Sequence, residues 1–177
     1  MVDPTDPPAN ALLKDAFGRV SEVVHEVLDG CDERALTYRP DPDANTIAWL
    51  VWYLTRVQDD HVADAARSEQ AWTEEGWTDR FELPLPVDDI GYGHSSDEVA
   101  VVVADAGLLG AYFDDVHRRT LAYLDAIDDV ELDRVVDTRW EPPVTVAVRL
   151  VSVISDCLQH AGQAAYLKGL VARSAGA

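Results

Sequence analysis

Apolar residues recur along most of this chain at steps of three and four, the spacing that lines one face of an α-helix. Leu13, Ala16, Phe17, Val20, Val23, Val24, Val27 and Leu28 make one such stripe, with Asn10 placed to cap its start and Gly30 to end it. After a turn at Arg39-Pro40-Asp41-Pro42-Asp43, a second stripe runs through Ile47, Leu50, Val51, Leu54, Val57 and Val62, and Asn45 is placed to cap it. Ser95 and Glu98 have capping-box spacing. From there Val99, Val102, Val103, Ala106, Leu109, Phe113, Val116, Thr120 and Leu124 carry a third helix to about Ile127, with Gly107 and Gly110 as points where it bends or breaks. Thr145 can cap a fourth helix that runs to about Arg173.

Between the second and third helices the periodicity dissolves. Glu74-Glu75-Gly76, Leu83-Pro84-Leu85-Pro86 and Gly91-Tyr92-Gly93-His94 are loop chemistry. A connection of that length inside a compact domain is often a lid or a binding loop, and Trp72, Trp77, Phe81 and Tyr92 are placed to hold it against the body. Paired prolines at Pro142-Pro143 make residues 137–143 a second loop. The pattern predicts one all-α domain over residues 1–177, a four-helix bundle with a long crossover between its second and third helices. Residues 1–9 are expected to be a flexible tail, and residues 72–95 to lie over the site.

Composition narrows the function classes. The formal net charge is −19, from 33 acidic against 14 basic residues, and such a surface repels nucleic-acid phosphates and anionic lipid head groups. A small-molecule substrate is therefore expected, with no nucleic-acid and no membrane partner. The Pro-rich, acidic start lacks the basic and apolar regions of a signal peptide, and no apolar run approaches the ~18 residues of a membrane span. Two cysteines, Cys31 and Cys157, make no disulfide framework. The expectation is a cytoplasmic protein, with homodimer formation open because bundles with apolar outer stripes often pair.

Candidate chemistry concentrates in two places. On the fourth helix Asp156 and His160 stand four residues apart and point the same way, with Gln163 three further on. A carboxylate and an imidazole one turn apart can be two ligands of a divalent metal, or a hydrogen-bonded pair joining two helices. On the second helix Trp49, Tyr53, Arg56 and Asp60 form a stripe in which Arg56 and Asp60 make the simplest ion pair, and Tyr53 can offer its hydroxyl to the cavity of His160. His94 in the crossover can reach a bound substrate, and His117, one turn from Phe113, can face the interior as an auxiliary group. Trp49, Arg56, His117 and His94 are thus the expected pocket residues.

The segments Asn45-Thr-Ile-Ala-Trp49-Leu-Val-Trp52-Tyr53-Leu-Thr-Arg56, Gly91-Tyr-Gly-His94 and Asp156-Cys-Leu-Gln-His160-Ala-Gly-Gln163 resemble the DinB-like superfamily. Within it they are most similar to the actinobacterial branch related to mycothiol-dependent maleylpyruvate isomerase, over about Leu12 to Val171. The resemblance implies a DinB/YfiT-like four-helix bundle. It also implies a divalent metal, zinc or nickel, held by three side chains at one end, and a thiol cosubstrate such as mycothiol. Carried over residue by residue, the metal ligands land on Asp156, His160 and, where a histidine is expected, Tyr53, with Gln163 able to complete the set. Two functions follow: a metal-dependent thiol transferase or isomerase acting on a small electrophile, and a metal-free bundle that binds a small molecule or partner without catalysis.

Overall fold

The computed structural model describes residues 7–174. Helix α1 (Pro8–Leu28) opens with proline in its first turn, where a missing N–H costs nothing. Of the expected tail, residues 1–6 lie outside the described residues, whereas Pro8 and Ala9 already belong to α1. Asn10 is not the cap of α1. It is buried, and its Nδ2 donates to the carbonyls of Leu124 (2.7 Å) and Ile127 (2.9 Å), groups a helix end leaves without partners. Gly30, at φ +68°, turns the chain after the helix as its position suggests.

One-turn α2 (Glu33–Leu36) is followed by α3 (Ile47–Ala66). The cap of α3 is Thr46, one residue beyond Asn45, and its hydroxyl accepts from Trp49 N at 3.0 Å. Every residue from Ile47 to Asp59 is buried, so this helix is the centre of the molecule and has no solvent face over that span. The crossover holds α4 (Ala71–Glu74), α5 (Trp77–Phe81) and α6 (Ser96–Ala100). Its long partner α7 (Ala106–Ala126) leads to α8 (Asp129–Leu132), a small antiparallel pair β1 (Val135–Asp137) and β2 (Val144–Thr145), and α9 (Val146–Ser174). Each of the four long helices packs on two others: α3 on α9 and α7, and α1 on α9 and α7. The expected bundle is present.

Three expectations change in detail. The Ser95–Glu98 capping box forms, but it starts the short α6. The long helix begins afresh at Asp105, whose carboxylate accepts from Leu108 N at 2.8 Å, and Gly107 and Gly110 sit inside it without a break. The loop at 137–143 is the tip of a hairpin whose strands are too short to show a period of two. On α9 the buried stripe is Val146, Leu150, Val153, Cys157, Ala161, Ala164 and Leu167. Among the described residues no helix is long and apolar enough to cross a membrane.

The crossover is anchored by one buried polar network. Asp59 of α3 accepts from the backbone N–H groups of Ala71 and Trp72, both at 2.8 Å, and from the Tyr112 hydroxyl at 2.9 Å. Arg56 pairs with Asp59 at 3.6 Å, not with Asp60, and donates to Gln70 Oε1 (2.8 Å), Tyr112 (3.3 Å) and the Asp89 carbonyl (3.2 Å). Asp60 instead accepts from Gln70 Nε2 at 2.8 Å. Trp72, Trp77 and Phe81 pack around Tyr112 with ring centres 5.3–5.7 Å away, holding the first half of the crossover against α7. Tyr92 takes no part in this, being 83% exposed.

Candidate functional site

The second half of the crossover returns to α3 and α9, where five of the predicted residues meet. Trp49 stacks on Tyr53 one turn along α3, ring centres 4.7 Å apart and nearly parallel. Tyr53 in turn lies 4.6 Å from the imidazole of His160, tilted by 55°. Such contacts join the aromatic face of α3 to the polar edge of α9. Gly91 allows the crossover to close on this pair: at φ +85° it occupies a conformation suited to glycine, and a Cβ there would stand 2.7 Å from Tyr53 Cδ2 and 2.9 Å from Trp52 Cζ3.

His94 is fixed on both nitrogens. Trp49 Nε1 donates to its Nδ1 at 3.0 Å, so Nε2 carries the hydrogen and donates to the Asp89 carboxylate, 3.1 Å from either oxygen. Burial works against ionising Asp89, but the Gly91 N–H at 2.6 Å and His94 outweigh it and hold the carboxyl below its usual range. Fully partnered in this way, His94 is a strut between crossover and α3. Asp89 is a residue the sequence reading misses, because nothing local separates it from its acidic neighbours.

His160 is held on one side only. Its Nδ1 lies 2.8 Å from the Asp156 carbonyl and 3.2 Å from Asp156 Oδ2. A carbonyl can only accept, so the Nδ1 hydrogen points there, and Oδ2 sits beside it as a buried oxygen without a well-aligned bond. In the neutral ring the lone pair is then on Nε2, which bonds to no described residue. Burial alone would push the His160 imidazole down, but the three Asp156 interactions prevail and its pKa is raised. The Tyr53 hydroxyl likewise has no hydrogen-bond partner among the described residues, and burial with the nearby Asp156 charge pushes its pKa up to about 12.

The remaining expected residues fall elsewhere. Gln163 faces a groove of about 600 Å³ on the next turn of α9, shared with Asn45, Gln159 and Tyr166. Arg56 belongs to the buried Asp59 network. His117 stacks on Phe113 (5.7 Å, 13°), and burial lowers its pKa, with His25 as a neighbouring charge. Cys157 is fully buried, its Sγ donating to the Leu54 carbonyl at 3.5 Å, and burial pushes its thiol far up.

These donors do not fit a three-ligand divalent metal centre. The Asp156 carboxylate lies on the Nδ1 edge of the imidazole, whereas the lone pair is on Nε2, so the two do not converge on one point. Tyr53 is a phenol that keeps its proton, and Gln163 opens into a different groove. Among the described residues no three histidine, cysteine, aspartate or glutamate side chains are grouped to hold a metal. The expected assignment of Asp156, Tyr53 and Gln163 as co-ligands of His160 therefore gives way to an oriented imidazole beside a neutral phenol.

The crystal structure of a conserved protein from Enterococcus faecalis superimposes on the chain with a TM-score of 0.85 at 35% identity, covering 90% of this chain and 95% of that one. No curated protein matches it. The mycothiol-S-transferase family profile matches residues 12–172, which takes in the whole of the Trp49–Tyr53–His94–His160 cluster. By that match, and by the DinB-like bundle that carries it, the chain belongs to the mycothiol-S-transferase family.

Proposed function

We propose that this protein transfers a low-molecular-weight thiol, of the mycothiol kind, onto a small electrophile, with the Tyr53–His160 cluster as the reacting end. One observation carries the reading: His160 is oriented through Nδ1 by Asp156 while Nε2 keeps an unused lone pair. An imidazole backed in this way is a general base, and a thiol is the nucleophile it suits. The sulfur must come from outside. Cys157 is buried, and burial also raises the pKa of Cys31, so neither thiol of the chain is prepared to react.

In the step proposed, Nε2 takes the proton of the bound thiol and the resulting thiolate attacks the electrophile, forming a carbon–sulfur bond. With a halide, the carbon–halogen bond breaks to release halide ion and the Nε2 proton then passes to solvent; with an epoxide, a C–O bond opens to an alkoxide that takes that proton from Nε2. The groove of Asn45, Gln159, Gln163 and Tyr166 offers amide groups and an aromatic face on the adjoining turn for the body of the thiol. A cytoplasmic setting, where such thiols stay reduced, suits this chemistry.

The test is consumption of mycothiol, and of N-acetylcysteine as a simpler thiol, in the presence of an aryl halide or an epoxide. The reaction should run above the uncatalysed rate and fall about a hundredfold or more in His160→Gln, the usual worth of a positioned base. No acceleration with any thiol overturns the reading. A second reading, a bundle that binds a small molecule without turning it over, is favoured by the phenol of Tyr53 where the family resemblance implies a histidine. It predicts thiol binding with no product.

A further inference from the structure

We propose that Tyr53 stabilises the substrate sulfur as a thiolate by donating its phenolic hydrogen to it, so that this chain activates a thiol without a metal ion. The inference rests on the thiol-transfer reading above and adds to it the group that takes the place of a Lewis acid.

The placement of Tyr53 supports the role. Only 6% of the residue is exposed, so its ring is held by packing, while its hydroxyl bonds to no described residue and is not sealed from solvent. A donor whose ring is fixed but whose hydroxyl is open is free to bond to an incoming ligand. The acceptor-bearing Nε2 of His160 belongs to the ring packed against it, with 4.6 Å between ring centres. An unused donor and an unused acceptor thus stand side by side, the pair of functions a thiol S–H needs in order to lose its proton: Nε2 forms the new N–H bond, the S–H bond breaks with both electrons left on sulfur, and the phenol O–H bonds to the anion. The geometry is fixed in advance. Trp49 stacks on one face of the phenol and the Gly91 backbone closes its Cδ2 edge, so the ring has little freedom to turn away. Burial and Asp156 keep the phenol protonated at neutral pH, and only a protonated phenol donates. An imidazole at position 53 in its lone-pair tautomer would instead repel a thiolate. A metal ion is what makes histidine useful there, and its absence from position 53 is matched by the failure of Asp156 and His160 to converge.

The experiment uses the full chain stripped of metal by a chelator. N-acetylcysteine, and separately mycothiol, is added and the ultraviolet thiolate absorbance is followed against pH. Wild type should raise the thiolate fraction of the bound thiol at neutral pH about tenfold, one pKa unit below the ordinary thiol value near 8.5. Tyr53→Phe should remove most of that gain while binding the thiol and melting as wild type does. A gain retained in Tyr53→Phe, a gain that appears only after zinc or nickel is added, or no gain with either thiol overturns the proposal. A tyrosine-dependent thiolate signal without conjugation to any electrophile leaves the role of Tyr53 standing and overturns the transferase reading instead.

Discussion

The imidazole of His160 meets the phenol of Tyr53 with ring centres 4.6 Å apart, while its other edge is pinned at Nδ1 by Asp156, 2.8 Å from the carbonyl and 3.2 Å from Oδ2. The two contacts divide the ring into a structural edge and a chemical edge. The carboxylate is expected to act on the first of these, by holding the proton.

Asp156→Asn is the direct check. The isosteric amide keeps the shape and the backbone carbonyl bond but removes the charge, so the influences raising the His160 pKa are cut while burial, which lowers it, remains. The midpoint of the His160 ring signals in an NMR pH titration should fall relative to wild type. An unchanged midpoint would show that the carboxylate does not act on this ring.

Replacing the phenol by a second imidazole should create what the present donor set lacks. Tyr53→His would put two imidazoles against each other on α3 and α9, both able to turn a lone pair toward a shared ion. Zinc affinity, measured by competition with a chelating dye, is expected to rise about tenfold or more, within the range single ligand-shell changes produce. Adding His160→Ala should cancel the gain. Equal zinc binding by wild type and Tyr53→His would contradict the mismatch described for the native donors.

Local spacing is enough to read α1, α3, α7 and α9, because each buries a stripe whose period is written in consecutive residues. It also brings Trp49, Tyr53 and His160 to one end of the bundle, since a short list of aromatic and titratable residues shares the correct faces. It does not carry the partners that come from distant segments. Asn10 has the sequence of an N-cap and the location of a strut to Leu124 and Ile127, 114 and 117 residues away. Asp59 and Asp60 are indistinguishable as letters, yet only Asp59 meets the N–H groups of Ala71 and Trp72. Which nitrogen of His160 faces the carboxylate is a matter of ring rotation, and that rotation separates an orienting aspartate from a metal ligand.

Gly91→Ala tests how tightly the crossover is seated on the cluster. The new methyl meets ring carbons of Tyr53 and Trp52 at 2.7 and 2.9 Å, and the backbone there is at φ +85°. Ring carbons held by stacking cannot retreat as the end of a flexible chain would. A loss of about 1–3 kcal/mol in denaturant unfolding is expected, the range for overpacking and for a strained backbone. Quenching of tryptophan fluorescence by acrylamide should increase as the loop lifts from Trp52. Wild-type stability and quenching would mean the loop gives way freely.

Removing the carboxylate of Asp59 should be among the most destabilising single changes. The side chain is 4% exposed, binds two backbone N–H groups and Tyr112, and faces the fully buried Arg56. Asp59→Ala leaves that guanidinium without its counter-charge, an effect worth about 3–5 kcal/mol when a buried pair loses one member. Tyr112→Phe removes one neutral donor and should cost about 1–3 kcal/mol. The two losses should sum to more than the loss in the double variant, because both act on one network. Strict additivity in urea unfolding would place Tyr112 outside it.

His117 supplies the pH dependence whose sign is easiest to isolate. Burial is the first cause of its lowered pKa, with the Asp114 charge opposing and His25 assisting. The folded state therefore holds the proton less tightly than the unfolded chain, whose value is near 6.5. The contribution of His117 to stability is complete above that unfolded value and is lost as pH falls through the folded one. His160, with a raised pKa, has the opposite sign, its contribution being present at low pH and lost as pH rises through its folded value. His117→Phe keeps the stack on Phe113, removes a buried Nδ1 that has no partner, and cannot titrate. Thermal melts between pH 7 and pH 5 should show wild type losing more stability on acidification than His117→Phe. Replacing His160 by glutamine as well should make the variant lose more stability on acidification than His117→Phe alone, since that second change removes a contribution that stabilises at low pH. Parallel melting curves for wild type and His117→Phe across this range would show that the buried ring is not the source.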